Sequence, residues 1–357
     1  MKQRRNKLSL PAWITLLFIL MLGSQSAVAQ TTPANPLFAK DDVLKIRIEA
    51  PFKKLISKAS NSKDPYPGQL KLLEGTQNSY GITVAARGRS RRTAYCSFPP
   101  LRVKFDNPEQ ITGEFSGQKS LKLVTHCRKT KNYEQYLRLE YGVYRMYNEL
   151  TPQSLKTRLV FIDYIDSKSG KTIASKQGFF IEDMDDAAKR NGMKEVDVPG
   201  NISGKKLNSD SSARLVLFHY MIGNVDWSVR STRKGSDCCH NTKLMGATKS
   251  TQENLVPTPY DFDSSGFVNT NYAEVSGGLP IKNVRQRLYR GFCSDNDKLP
   301  ALFTEFTQKQ SEFISVLNDI PDLDEKYLKR SQKYLNRFFE TIQKPKTVSW
   351  RMTSKCR

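Results

Sequence analysis

The chain has 357 residues, 38% of them hydrophobic and 10% aromatic, with 57 Lys+Arg against 35 Asp+Glu for a formal net charge of +22. That is too much apolar material for a disordered chain, and 17 Pro with 20 Gly in no regular period exclude collagen-like and low-complexity classes. The charge predicts attraction to phosphate groups, nucleic acid or an anionic envelope surface, without choosing among them.

Residues 1–29 read as a signal peptide. Lys2, Arg4, Arg5 and Lys7 precede an apolar run from Ala12 to Leu22, and Ala27-Val28-Ala29 places cleavage before Gln30. The run is short of the ~20 residues a membrane span needs, so no transmembrane segment is expected in the mature chain, which is predicted to be periplasmic or secreted. Residues 30–41 read as a polar leader. Over 42–185 a β-rich region is expected. Leu44, Ile46 and Ile48 alternate with Lys45, Arg47 and Glu49, the period of a half-buried strand. Asn61 to Gly68 reads as a turn-rich loop, and Gly81–Ala86, Leu101–Phe105 and Ser120–Thr125 as strands. Tyr133, Leu137, Tyr141, Tyr144 and Tyr147 step by three and four, predicting a helix from Tyr133 to Leu150. Leu159–Ile165 and Ile173–Ile181 read as further strands.

Over 186–357 the pattern is mostly helical. A polar connection, Lys189 to Ser212, leads to an apolar helix that stops at Gly223-Asn224. Leu302, Phe303, Phe306, Phe313, Ile314 and Leu317 form one apolar face, and Leu328, Leu335, Phe338, Phe339 and Ile342 another. Pro321 separates them, and Asp322 with Glu325 suggests a capping box. Strands first and helices second give an α+β fold.

All six cysteines, Cys96, Cys127, Cys238, Cys239, Cys293 and Cys356, follow the signal peptide, which in an oxidising compartment favours up to three disulfides, Cys96–Cys127 first. Cys238-Cys239-His240 lacks the spacing of a structural zinc site, so its cysteines read as disulfide termini. His219 lies within the apolar helix and reads as a core residue.

Three polar clusters stand apart: Gly223–Ser228, His240–Leu244 and Pro259–Gly266. Phosphoryl transfer needs a carboxylate to orient the attacking hydroxyl, a carboxylate and an amide oxygen on a metal, and a cation on the phosphates. Asp226 suits the base, Asn241 the amide, and Asp261 or Asp263 the metal-binding carboxylate, an oxygen set suited to Mg²⁺ or Mn²⁺. Asp261-x-Asp263-x-Ser265-Gly266 also matches the opening of an EF-hand loop, but Tyr272 stands where that loop needs Glu.

The run Gly223-Asn224-Val225-Asp226, then His240-Asn241, then Pro259-Tyr260-Asp261-Phe262-Asp263-x-x-Gly266 resembles the spore-coat protein H (CotH-like) atypical kinase family. The basic turn Arg87-Gly88-Arg89-Ser90 ahead of a strand with Lys104 looks like that family's opening segment, and Gly178–Glu182 resembles its hinge strand. The resemblance implies a two-lobed protein-kinase-like fold with a β-rich N-lobe and a mostly helical C-lobe. It also implies phosphate transfer from ATP, with a divalent metal, to a protein or other acidic acceptor in the cell envelope. Asp226 then takes the catalytic-base position and Asp261 the metal position, with Asp263 beside it. Arg87 and Arg89 cover the phosphates, and Glu182 lies at the hinge. The sequence departs from the pattern in two places. The kinase metal-binding Asn would fall at Ser231, so Asn241 must return after an insertion, and there is no G-x-G-x-x-G. For the cation–carboxylate pair, Lys104 or Lys122 and Glu134 or Glu140 are available, Lys104 with Glu140 being preferred. The competing reading is a non-enzymatic polyanion-binding or structural envelope module; nucleic acid is left open as a partner but not favoured.

Overall fold

Alternation buries Ile46, Ile48 and Ala50 of β1 (Leu44–Ala50) and leaves Lys45 and Arg47 outside. After it come α1 (Phe52–Lys58), β2 (Tyr66–Leu72), β3 (Ser79–Ala86), β4 (Leu101–Phe105), β5 (Ser120–Val124), α2 (Lys131–Leu150), β6 (Thr157–Asp166) and β7 (Thr172–Ile181). This computed structural model describes residues 35–75, 78–275 and 277–357; the signal peptide read over 1–29 lies outside the described residues. Within the leader read over 30–41, Leu37 and Phe38 are buried in the barrel core.

The strands run β1-β2-β3-β4-β5-β7-β6, and β6 returns to pair with β1 in parallel, Leu44 opposite Val160 through Ala50 opposite Asp166. The sheet is therefore a closed, mixed seven-stranded barrel. This corrects the two-lobed kinase-like fold expected above, whose N-lobe is a sheet. Period-two alternation shows which face of a strand is buried and says nothing of its neighbour, and the closing pair joins residues far apart in sequence. The turn-rich loop expected to Gly68 is also shortened, because β2 begins at Tyr66. Gly68 fits there as a close-approach residue: a Cβ on it would fall 2.5 Å from the Glu49 carbonyl oxygen.

Beyond the barrel lie α3 (Met184–Arg190), β8 (Lys194–Glu195), β9 (Val198–Pro199), α4 (Ser209–Ile222), β10 (Asp237–Cys238), β11 (Thr242–Gly246), β12 (Val256–Pro259), α5 (Leu299–Gln308), α6 (Gln310–Asn318), α7 (Glu325–Ile342) and α8 (Pro345–Arg351). A second hydrophobic core forms here, joining α2 and α4 to α5, α6 and α7. Helix α2 is buried on most of its faces because it packs on β6 and β7 as well as on α6. The capping box expected at Asp322 and Glu325 does not form. Asp324 precedes α7 instead, and Asp322 accepts a hydrogen bond from Gln177. Among the described residues, no helix is long and apolar enough to cross a membrane.

Three disulfides pair Cys96 with Cys127, Cys238 with Cys239 and Cys293 with Cys356. The first ties the turn after β3 to the end of β5, closing a loop with a sequence separation of 31. Replacing both Cys96 and Cys127 with Ala is expected to cost about 3–4 kcal/mol through the unfolded chain's regained freedom. Urea denaturation measures this, and a loss below about 1 kcal/mol would contradict it.

Candidate functional site

Helix α4 ends where Gly223 turns into the left-handed region at φ 63°, its N–H capping the His219 and Tyr220 carbonyls. A side chain is excluded there twice over, since a Cβ would lie 2.0 Å from the Tyr334 hydroxyl. The next residues fold onto themselves. Asn224 Oδ1 accepts the Asp226 N–H at 2.9 Å, and the Trp227 indole donates to the Asn224 carbonyl at 2.9 Å. His219 stacks on Trp227 with ring centres 4.5 Å apart, fully buried and with burial pushing its pKa well below the ordinary value. It is a neutral core residue.

Backbone pairing draws the three polar clusters together. Strands β11 and β12 pair with Thr242 opposite Pro259, which sets Asn241 beside Tyr260, whose N–H donates to the Asn241 carbonyl at 3.1 Å. Gly266 N–H donates to the Gly223 carbonyl at 3.0 Å, tying the third cluster to the first. The insertion after Asp226 closes on itself, with Ser228 N–H on the His240 carbonyl at 2.9 Å and His240 N–H on the Ser231 carbonyl at 3.1 Å. Asn241 thereby returns to Asp226: its amide donates to the Asp226 carbonyl at 2.7 Å and to Oδ2 at 3.2 Å. His240 Nε2 donates to Asp226 Oδ1 at 2.6 Å. That bond from His240 lowers the Asp226 pKa and keeps the carboxylate ionised. Asn241 and Asp261 both hold left-handed backbone, at φ 52° and 63°, the conformation Asn and Asp tolerate best.

These clusters and the basic turn line one cavity of about 610 Å³, to which Arg87, Arg89 and Arg91 contribute together with Asp226, Asn241, Asp261 and Asp263. Arg91 dominates its electrostatics. The guanidinium is only 13% exposed and forms a fork on Glu140, at 2.9 and 3.2 Å. It also pairs with Asp261 and, at 3.3 Å, with Asp263. Burial works against its charge, and Asp263, Glu140 and Asp261 together overcome this and raise its pKa well above the ordinary value. Glu140 is 2% exposed; burial pushes its carboxyl up to about 7, with Arg91 pulling the other way. Burial likewise raises Asp263, whose Oδ2 also accepts the Tyr272 hydroxyl at 2.9 Å. Tyr272 stacks on Tyr95 at 4.9 Å, and Tyr144 accepts the Asp261 N–H at 2.9 Å. Arg87, Arg89, Arg233 and Lys63 line the same cavity with no ion pair among the described residues. Burial lowers the Arg87 pKa, with Asp261 opposing. The exposed carboxylates Asp237 and Glu274 line it too.

Two expected members lie elsewhere. Lys104 is exposed on the outside of β4, because Leu101, Val103 and Phe105 fill the barrel and alternation turns it outward. Its alternative Lys122, on β5, also stays out of the cavity lining. Arg91, from the turn between β3 and β4, is the cation that meets Glu140. Glu134, the other carboxylate considered, pairs with Lys176 and Arg138. Glu182 is a buried brace, bonded to Arg190 at 3.1 and 2.9 Å and to the Lys156 N–H at 2.9 Å. Arg91, His240 and Tyr272 were missed as site members. Arg91 was visible only as one cation in a basic run, and His240 only as the neighbour of Asn241.

A divalent cation is implied by the resemblance, and the residues present fit one. Asn241 Oδ1 and Asp261 Oδ2 have no partner among the described residues, and both are hard oxygen donors. Mg²⁺ commonly takes one or two carboxylates plus substrate phosphates instead of an all-protein cage. The carboxylates here do not form such a cage. Among the described residues, the acidic trio close enough for one ion is Asp183, Asp185 and Glu195, none of which lines the cavity. No protein-family model matches the chain, and no curated protein matches it.

Proposed function

We propose that the cavity binds the phosphates of a nucleoside triphosphate and transfers its terminal phosphoryl group to a protein or other acidic acceptor of the cell envelope. The observation that carries this reading is the convergence of Asp226, Asn241, Asp261 and Asp263, from three separate clusters, on a cavity also lined by Arg87, Arg89 and Arg91. Arg87 and Arg89 hold the phosphate oxygens. Asp226, ionised and held by His240 and Asn241, orients the acceptor hydroxyl and takes its proton as the new phosphorus–oxygen bond forms and the bond to the nucleoside diphosphate breaks. Asp261 and Asn241 would hold a Mg²⁺ or Mn²⁺ ion, which when bound neutralises phosphate charge. Arg91 pairs with both Asp261 and Asp263 and so offsets their mutual repulsion. The resemblance to the spore-coat protein H family enters at the level of this site chemistry only. The three disulfides support a periplasmic or secreted location.

Arg91 also favours a second reading, because it neutralises the carboxylates without a metal and suits a cavity that binds polyanions without catalysis. Calorimetry with ATP in the presence and absence of Mg²⁺ separates the two. Asp261→Asn is expected to weaken Mg²⁺-dependent nucleotide binding about tenfold or more, some 1.4 kcal/mol. Binding that ignores both the metal and this substitution supports the polyanion reading.

A further inference from the structure

A second pocket, of about 280 Å³, lies behind the Asp226 loop and is lined by Trp227–Ser231, Asn201, Ile202, Phe292 and three arginines, Arg230, Arg290 and Arg357. No carboxylate side chain lines it. None of the three guanidiniums has an ion pair among the described residues, although a basic protein still carries 35 acidic side chains to supply one. Like charges gathered in one pocket repel one another, so such a cluster favours an anionic ligand.

Arg290 is the most firmly held of the three. Arg290 donates from one terminal nitrogen to the Val225 and Trp227 carbonyls at 2.6 and 2.7 Å, lies over the Trp227 ring at 5.0 Å, and has a buried Nε with no partner. Arg230 lies over Phe292 at 5.6 Å. Arg357 donates to the Arg290 carbonyl at 3.0 Å. Its backbone is tied to the 291–293 segment by Arg357 N–H on the Gly291 carbonyl at 2.8 Å and Cys293 N–H on the Arg357 carbonyl at 3.1 Å, and the Cys293–Cys356 disulfide locks that pairing. Burial and the Arg357 charge push Arg290 down to about 10, with Asp226 opposing; burial and the Arg230 charge lower Arg357. The strongest charge acting on Arg290 is thus Arg357, and on Arg357 it is Arg230.

We propose that this pocket is an anion site for a phosphate group, either free phosphate or the phosphate monoester of a phosphorylated protein segment. Three guanidiniums with open N–H groups match the several acceptor oxygens of one tetrahedral dianion, and Ser228 and Ser231 supply hydroxyls beside them. The site is independent of the cavity proposed for transfer. Because Arg290 holds the carbonyls on both sides of Asp226, it stands directly behind the proposed base.

The test is calorimetric titration of the full chain at constant ionic strength with inorganic phosphate, a phosphoserine peptide and the same peptide unphosphorylated. Wild-type protein, Arg230→Ala/Arg357→Ala and Arg87→Ala are compared. Both altered arginines of the double variant are exposed at the surface and lie outside any ion pair, so the fold should survive. The double variant is expected to lose at least tenfold in affinity for one phosphate equivalent while Arg87→Ala keeps it. Loss with the phosphopeptide but not with inorganic phosphate assigns the group to a protein segment; loss with inorganic phosphate alone assigns it to the free ion. Phosphate binding unchanged in the double variant overturns the proposal, as does binding abolished by Arg87→Ala alone. The second outcome would leave the transfer cavity standing.

Discussion

Asp226→Asn is expected to lower phosphoryl transfer by about 10²–10⁴-fold while changing nucleotide affinity little. The amide has nearly the same shape and keeps an oxygen for the His240 hydrogen bond; it gives up the 3.2 Å bond from Asn241, whose 2.7 Å bond to the residue-226 carbonyl still holds the loop. What disappears is the negative charge that orients the acceptor hydroxyl and receives its proton. Asp226 does not pair with the arginines of the cavity; its partners are His240 and Asn241. Nucleotide held on Arg87 and Arg89 should therefore not sense the change. Since His240 lowers the Asp226 pKa, the wild-type rate should stay flat through the neutral range and fall only toward acid pH, below the usual carboxylate range. A variant with undiminished transfer would remove Asp226 from the mechanism.

Arg91→Ala is expected to cost about 3–5 kcal/mol of folding stability, the largest effect of any substitution at the site. The substitution strands three carboxylates, of which Glu140 and Asp263 are 2% and 9% exposed. The pH dependence has a definite sign. A carboxyl whose folded pKa lies above its unfolded value binds its proton more tightly when folded, so stability falls as pH rises through that interval. Glu140 is already raised to about 7 from an ordinary 4.5. Without Arg91 it rises further, and the variant's deficit should be larger at pH 8 than at pH 5. Adding Glu140→Gln should recover part of the loss at pH 8, because it removes one stranded charge. Urea denaturation at the two pH values measures both effects, and a deficit equal at both would contradict the account.

Local structure was legible wherever one periodicity ran unbroken. Leu101–Phe105 matches β4, and the tyrosine steps from Tyr133 mark α2 to within two residues. The glycine after Ile222 marks the end of α4 because only a left-handed residue without a Cβ fits beneath Tyr334. Where Pro67 and Gly68 broke the pattern, β2 read as loop, since these residues are depleted in strands for reasons that barrel pairing overrides here. Closure was not legible. The parallel pairing of β1 with β6 leaves no local trace, so the strand pattern alone fits an open sheet as well as a closed barrel. The site divides in the same way. Asp226, Asn241, Asp261 and Asp263 carried the chemistry of their residue types in the sequence itself. Lys104 was chosen because it sat on a strand, yet alternation with three core residues turns it outward, and Arg91 reaches Glu140 from a turn that no periodicity describes.

The most direct test of the central claim is calorimetry of the protein with Mg²⁺·ATP, alongside Arg87→Ala. Arg87 has no ion pair to lose, so its removal should not disturb the fold. Saturable, Mg²⁺-dependent binding weakened about tenfold or more by Arg87→Ala is the predicted result, equivalent to some 1.4 kcal/mol. Wild-type protein that binds no nucleotide with Mg²⁺ or Mn²⁺ would contradict the account.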